Sequence, residues 1–328
     1  MKQILSLAAA AALLTSACAA AEMQTAPNAQ AERPSGAERG NGKMQPREFP
    51  TLGMQAFSFK SDFMDRNYDI IVRFPMAYMQ DPERKFPTLV MTDGNRFFGG
   101  VAASLMAVEA ELIEPMIIVA VGTPFEEGPM AYNVRRVYEF SPKNWDLKDE
   151  FGQSVASTCK QAGVDLRDCT GGAPKFLKFL SKELLPGLAR GMRLDLDNLA
   201  LGGASAGGYF ASWAMFQKES PFKNYIISSP AMAYGDGEIF RLEETYSKKH
   251  KSLNAGVYMS SGSLEMTHPY IEGVGQVVSG QAHFGGTLMK RGYEGLTVTS
   301  EIHDGLGHID VIPVTFARGL RELFGKSE

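Results

Sequence analysis

The sequence predicts an α/β domain built on a mostly parallel central sheet with helices on both faces. Short apolar runs at residues 88–92, 116–121 and 225–228 read as strands buried on both sides. Helix-forming stretches separate them, which is the alternation that parallel βαβ units leave in a sequence. A chain of 328 residues with 44% hydrophobic content can bury a sizeable core as one large domain or two small ones. The formal net charge of −4 is mild and argues against a nucleic-acid partner.

Residues 1–21 read as a signal peptide. Lys2 supplies the positive start, residues 4–14 are apolar and alanine-rich, and small residues at 15–21 suit a signal peptidase. Leu14-Thr15-Ser16-Ala17-Cys18 also resembles a permissive bacterial lipobox, so simple cleavage and lipidation of Cys18 both stay open. The run falls short of the about 20 apolar residues of a transmembrane helix. Residues 22–50, rich in Ala, Gly, Pro, Gln and charge, read as a disordered linker. The expected location is therefore exported: periplasmic, membrane-anchored through a lipid on Cys18, or secreted.

Residues 51–328 form the expected folded domain. Strands are expected at 54–60 and 68–74, the second stopped by Pro75. The strand at 88–92 ends in Asp93-Gly94-Asn95, a turn signal. A helix at 97–112 and the strand at 116–121 follow. Residues 124–173 are too long and too polar for a simple connection, and read as a lid insertion. Cys159 and Cys169 lie in it, and in an exported protein they suggest a disulfide closing the lid. Alternation then resumes. Helices are expected at 175–188, 209–217, 238–248, within 274–290 and at 311–324. Strands are expected at 199–201, 225–228, 255–260 and 296–302.

The chemistry centres on Gly203-Ala204-Ser205-Ala206-Gly207, a G-x-S-x-G pattern with an apolar strand before it and a helix after it. That context is the nucleophile elbow of the α/β-hydrolase fold, in which a sharp turn thrusts the serine out at the top of the sheet. A serine hydroxyl needs a base to take its proton, and an acid to orient the base. All five histidines follow Ser205. His308 lies in a glycine-rich loop between the last strand and the last helix and is the expected base; His303, almost on the strand end, is the alternative. Glu265, the first carboxylate after the strand at 255–260, is the expected acid. It keeps the order serine, acid, histidine, whereas Asp304 and Asp310 sit beside the histidines. Two N–H groups must face the oxyanion: Ala206, directly after the nucleophile, and Asn95, in the turn after the third strand.

These residues carry a resemblance to the esterase D-like branch of α/β-hydrolases, from about residue 67 to 324. That branch includes siderophore, feruloyl and acetylxylan esterases, S-formylglutathione hydrolase and mycolyltransferases. Tyr68-Asp69-Ile70-Ile71-Val72-Arg73-Phe74-Pro75 resembles its opening strand, and Asp93-Gly94-Asn95 its oxyanion turn. Arg135-Arg136-Val137-Tyr138-Glu139-Phe140-Ser141-Pro142 is similar to its R-x-x-D-[FL]-T-P segment, with Glu139 and Ser141 as departures. Gly171-Gly172-Ala173, Glu183-Leu184-Leu185-Pro186 and Gly262-Ser263-Leu264-Glu265 fit as well. His308-Ile309-Asp310-Val311-Ile312-Pro313 resembles its T-H-x-S-V-x-P, which favours His308.

The resemblance implies an exported serine esterase that cleaves a small carboxylic ester, of siderophore, sugar or aryl type, with no metal or cofactor. Two departures bear on substrate. Ala204 and Ala206 stand where siderophore esterases tend to have His and Phe, and Ala231-Met232-Ala233-Tyr234 stands where they carry tryptophans. An acyltransferase with the same triad, or a non-catalytic binding protein on this fold, are the rival expectations.

Overall fold

A computed structural model of the protein describes residues 53–109, 112–143 and 145–326. The expectations for residues 1–21, Cys18 and 22–50 lie outside the described residues. The expected α/β architecture is present. Eight strands form one sheet in the order β1-β2-β4-β3-β5-β6-β7-β8, with β1 Met54–Ser61, β2 Arg66–Arg73, β3 Phe86–Met91, β4 Ile117–Gly122, β5 Leu194–Ala204, β6 Asn224–Ser228, β7 Ser252–Gly262 and β8 Glu294–His303. The pairs β1–β2 and β2–β4 are antiparallel, and every other pair is parallel.

Period-2 alternation explains why the central strands read as unbroken apolar runs. In β3, Leu89 and Met91 enter one core while Val90 enters the other; in β4, Ile118 and Ala120 oppose Ile117 and Val119. One face is covered by helices α1 (Gly94–Glu109) and α9 (Val311–Phe324), whose Phe98, Leu105, Phe316 and Leu320 are buried on it. The larger core on the other face takes Phe176, Phe179, Phe210, Trp213, Phe284 and Leu288. These come from α4 (Ala173–Lys178), the π-helical segment Phe179–Leu184, α6 (Ala206–Ala214) and α8 (Val277–Arg291); α5 (Leu185–Ala189) lies between the π segment and β5.

Element boundaries differ from the sequence reading in three instructive places. Strand β5 starts at Leu194, well before 199, because its exposed half carries Asp195 and Asp197, which weaken the apolar signal. Helix α6 starts at Ala206, since Gly207 and Gly208, read as turn residues, form its first turn. Helix α7 (Tyr234–Ser247) contains three consecutive left-handed residues, Gly235, Asp236 and Gly237, with φ of 61°, 56° and 66°. Regular helix therefore runs from Glu238, where the sequence placed it.

Residues 124–173 are not structureless. They hold a 3-10 turn, Phe125–Glu127, and helices α2 (Gly128–Phe140) and α3 (Glu150–Gln161). The segment is clamped near its end: Gly171 N–H donates to Ser141 Oγ at 2.7 Å, and Ala173 N–H to Ser141 O at 3.0 Å. Cys159 and Cys169 are joined by a disulfide, as expected, and bury Leu147, Val155 and Ala156 around it. Toward the main domain, the rings of Trp145 and Phe151 lie against Tyr234, and Ser154 Oγ is 2.7 Å from Tyr270 Oη. Among the described residues, no helix is long and apolar enough to cross a membrane.

Candidate active site

Within two residues of their ends, strands β3, β5 and β6 are each followed by a non-glycine residue with positive φ: Asp93 (58°), Ser205 (57°) and Ser229 (43°). Such backbone is unfavourable for an L-residue and tends to gather at functional sites.

Ser205 leaves β5 with φ 57° and ψ −118°, the sharp turn expected between strand and helix. Its N–H donates to Ser228 O at 2.9 Å, and its carbonyl accepts from Tyr209 and Ala231. The flanking glycines are required by proximity. A Cβ on Gly203 would sit 2.3 Å from Gly207 O, and one on Gly207 would sit 2.3 Å from Thr92 Oγ1. Ser205 itself is half-buried.

The expected acid and the expected base, Glu265 and His308, meet. Glu265 lies on a 3-10 turn, Ser263–Thr267, directly after β7. Its Oε1 is 2.5 Å from His308 Nδ1. Its Oε2 accepts from Gly262 N–H at 2.6 Å and from Ser229 Oγ at 2.8 Å. The Glu265 side chain is 1% exposed and that of His308 12%, so the carboxylate is dry while the imidazole keeps an opening. The loop that carries His308 is tied to the Glu265 turn. Leu264 N–H donates to Leu306 O at 3.0 Å, Ser263 Oγ to Asp304 Oδ1 at 3.1 Å, and Gly305 N–H to Ser263 Oγ at 2.9 Å. Asp310 Oδ1 accepts from Gly307 N–H at 2.7 Å. Asp304 and Asp310 thus brace the loop.

His303 is engaged elsewhere. Its Nε2 lies 3.3 Å from Tyr258 Oη and 3.8 Å from Glu301, in a cluster completed by Arg318 of α9. Burial pushes its pKa below the usual histidine value, against the pull of Glu301.

Asn95 and Ala206 each open a helix: Ala206 is the first residue of α6, and Asn95 the second of α1. The first N–H groups of a helix have no intrahelical acceptor. The Asn95 side chain donates to Thr123 O, which fixes this turn to the end of β4.

Two residues that the sequence reading assigned no role hold the turn before Asn95. Asp93 is buried; its Oδ1 accepts from Tyr132 Oη at 3.0 Å and Arg136 Nε at 2.5 Å, and its Oδ2 from Arg136 Nη2 at 3.1 Å. Arg136 Nη2 also reaches the carbonyl of Ala204, the residue before Ser205, at 3.5 Å. Burial opposes the guanidinium charge, but the Asp93 carboxylate more than offsets this and holds the Arg136 pKa above its ordinary value. The sequence did carry a signal: two adjacent arginines inside an α2 pattern whose neighbours are apolar. The partner Arg135 faces another buried cluster, with Glu127 at 2.7 Å and Glu139, which in turn accepts from Tyr68 Oη at 2.7 Å.

Comparison with known proteins is consistent with this frame. No family model matches the chain. The ferri-bacillibactin esterase BesA of Bacillus subtilis (strain 168) is 23% identical over 300 residues, 87% of this chain and 93% of the relative. The apo-salmochelin esterase of Escherichia coli O6:H1 is 25% identical over 283 residues, 83% of this chain and 79% of the relative. Among solved structures, the BES protein from Bacillus cereus superposes with a TM-score of 0.69 at 25% identity, covering 86% of this chain and 99% of that one. The siderophore hydrolase EstA from Aspergillus nidulans gives a TM-score of 0.71 at 20% identity over 88% and 98% of the two chains, a likeness of fold. Fold and relatives together make this chain a carboxylic ester hydrolase of the α/β-hydrolase fold, and they bear out its resemblance to the esterase D-like enzymes that include the siderophore esterases.

Proposed function

We propose that the protein is an exported serine esterase working through an acyl-enzyme on Ser205. His308 takes the Ser205 proton as Oγ attacks the ester carbonyl, and Glu265 orients the ring and stabilises the imidazolium. The N–H groups of Asn95 and Ala206 receive the oxyanion. His308 then gives the proton to the departing alcohol, and water attacks the acyl-enzyme by the same route in reverse. The single observation that carries this reading is the 2.5 Å pairing of His308 Nδ1 with a buried, doubly braced Glu265, in the chain order the elbow demands.

The relatives are named as ferri-bacillibactin and apo-salmochelin esterases, and these names support a siderophore-type ester as the first candidate. Ala204 and Ala206 leave the elbow smoother than a catecholate wall needs, so sugar and aryl esters belong in the same assay. The experiment is labelling by a fluorophosphonate probe, followed by turnover of feruloyl, acetyl-sugar, aryl and siderophore esters. Stoichiometric labelling at Ser205 with ester turnover is expected. An unlabelled, folded protein would point to a binding protein on this fold, and transfer to an added alcohol in place of water to an acyltransferase.

Residues 124–173 serve in this reading as a lid over the substrate. Closing a loop the size of that between Cys159 and Cys169 is worth about 2–3 kcal/mol by chain-entropy estimates, and the clamp at Ser141 keeps that effect local. The paired substitutions Cys159→Ser and Cys169→Ser are expected to change KM for bulky esters several-fold. Turnover of p-nitrophenyl acetate and the global Tm are expected to stay nearly constant. Equal losses on small and bulky esters would make the insertion a structural element and not a lid.

A further inference from the structure

We propose that Ser229 is a positioning residue of this esterase, whose hydroxyl locks the carboxylate of Glu265 so that Oε1 stays turned to His308. The inference rests on the triad reading above. Ser229 is fully buried and leaves β6 with φ 43°. Its N–H is fixed by Ser260 O at 2.8 Å on the neighbouring strand, and its Oγ donates to Glu265 Oε2 at 2.8 Å. Glycine or asparagine is the ordinary occupant of left-handed backbone. A serine here keeps a strain that glycine would relieve, so what the position gains is the hydroxyl.

The carboxylate needs that second donor. The last torsion of a glutamate side chain is broad and nearly two-fold, and glutamate is one bond longer than aspartate. With Gly262 N–H as its sole brace, Oε2 could swing and carry Oε1 off His308 Nδ1. Ser229 approaches from the end of a different strand, β6, and closes the angle that the Gly262 N–H, from the end of β7, leaves open. The same logic holds at Asp93, another left-handed residue just past a strand, whose side chain is used in place of glycine's freedom. Ser229 touches no reacting atom; it acts through Glu265.

The test is a double-mutant cycle on p-nitrophenyl acetate hydrolysis. Ser229→Gly is expected to lower kcat about 10-fold, the size of one hydrogen bond to a charged group, with KM within about twofold and Tm unchanged or raised. Ser229→Ala, which keeps the backbone strain, is expected to lose the same amount, separating hydroxyl from backbone. In a Glu265→Ala background, Ser229→Gly is expected to change kcat less than about twofold, because the residue it positions is gone. His308→Ala is the second background should Glu265→Ala not fold, because the ring that Glu265 orients is then gone. An unchanged kcat in Ser229→Gly, or the full loss persisting without Glu265, would overturn the proposal. A Glu265→Ala enzyme with normal kcat would overturn the triad reading itself, and the proposal with it.

Discussion

Ser205→Ala is expected to lower kcat for a p-nitrophenyl ester by roughly 10⁴-fold or more, with the fold and Tm intact. The size follows from the unit character of the site: without Oγ no acyl-enzyme forms, and what remains is the catalysis of the oxyanion donors and binding alone. The stability half of the expectation follows from the backbone. Ser205 sits at φ 57°, ψ −118°, and alanine carries the same Cβ, so the strain is unchanged. Ser205→Gly removes that Cβ and is expected to be as inactive yet more stable, by about 1 kcal/mol, the usual cost of such a conformation. Thermal melts of the three proteins, beside their turnover, decide both halves. Retained turnover in Ser205→Ala would remove Ser205 as nucleophile. A less stable Ser205→Gly would mean that the elbow is not strained.

That strain also marks the limit of what the sequence could disclose. The elbow was legible because its pattern is local: a strand, small residues and a helix follow one another within residues 194–214. Glu265 and His308 were picked out by chain order as the expected acid and base, since each follows a strand in the parallel half of the sheet. The mostly parallel sheet was legible from apolar runs buried on both faces. Illegible were contacts that join distant segments. Arg136 reaches Asp93 across 43 positions and Ser229 reaches Glu265 across 36, and no periodicity encodes such a pairing. Polar residues at element ends were similarly misleading, since Asp195 and Asp197 hid the first half of β5. Within residues 124–173, helix α2 was hidden by a third effect. Its inner face includes Arg135 and Glu139, buried but charged, and a helix that buries ion pairs lacks the apolar stripe by which an amphipathic helix is recognised.

His308→Ala is expected to lose nearly as much activity as Ser205→Ala, while His303→Ala retains kcat within about twofold. The two histidines lie five positions apart, yet their surroundings divide them. His308 Nδ1 is held by a buried carboxylate at 2.5 Å, and its side chain is 12% exposed. That arrangement leaves Nε2 as the nitrogen able to accept a proton. The nitrogen of His303 that would do the same is already engaged with Tyr258 Oη at 3.3 Å, on the α9 side of β8. Its loss is expected to cost about 1 kcal/mol of stability through that hydrogen bond, and no chemistry. The double variant Ser205→Ala with His308→Ala is expected to be little worse than either single variant, because residues that act as a unit do not lose activity additively. The measurement is kcat/KM for the four variants beside the unsubstituted enzyme on one p-nitrophenyl ester, with thermal melts for each. A crippled His303→Ala beside an active His308→Ala would transfer the base to His303. Additive losses in the double variant would mean that serine and histidine work in separate steps.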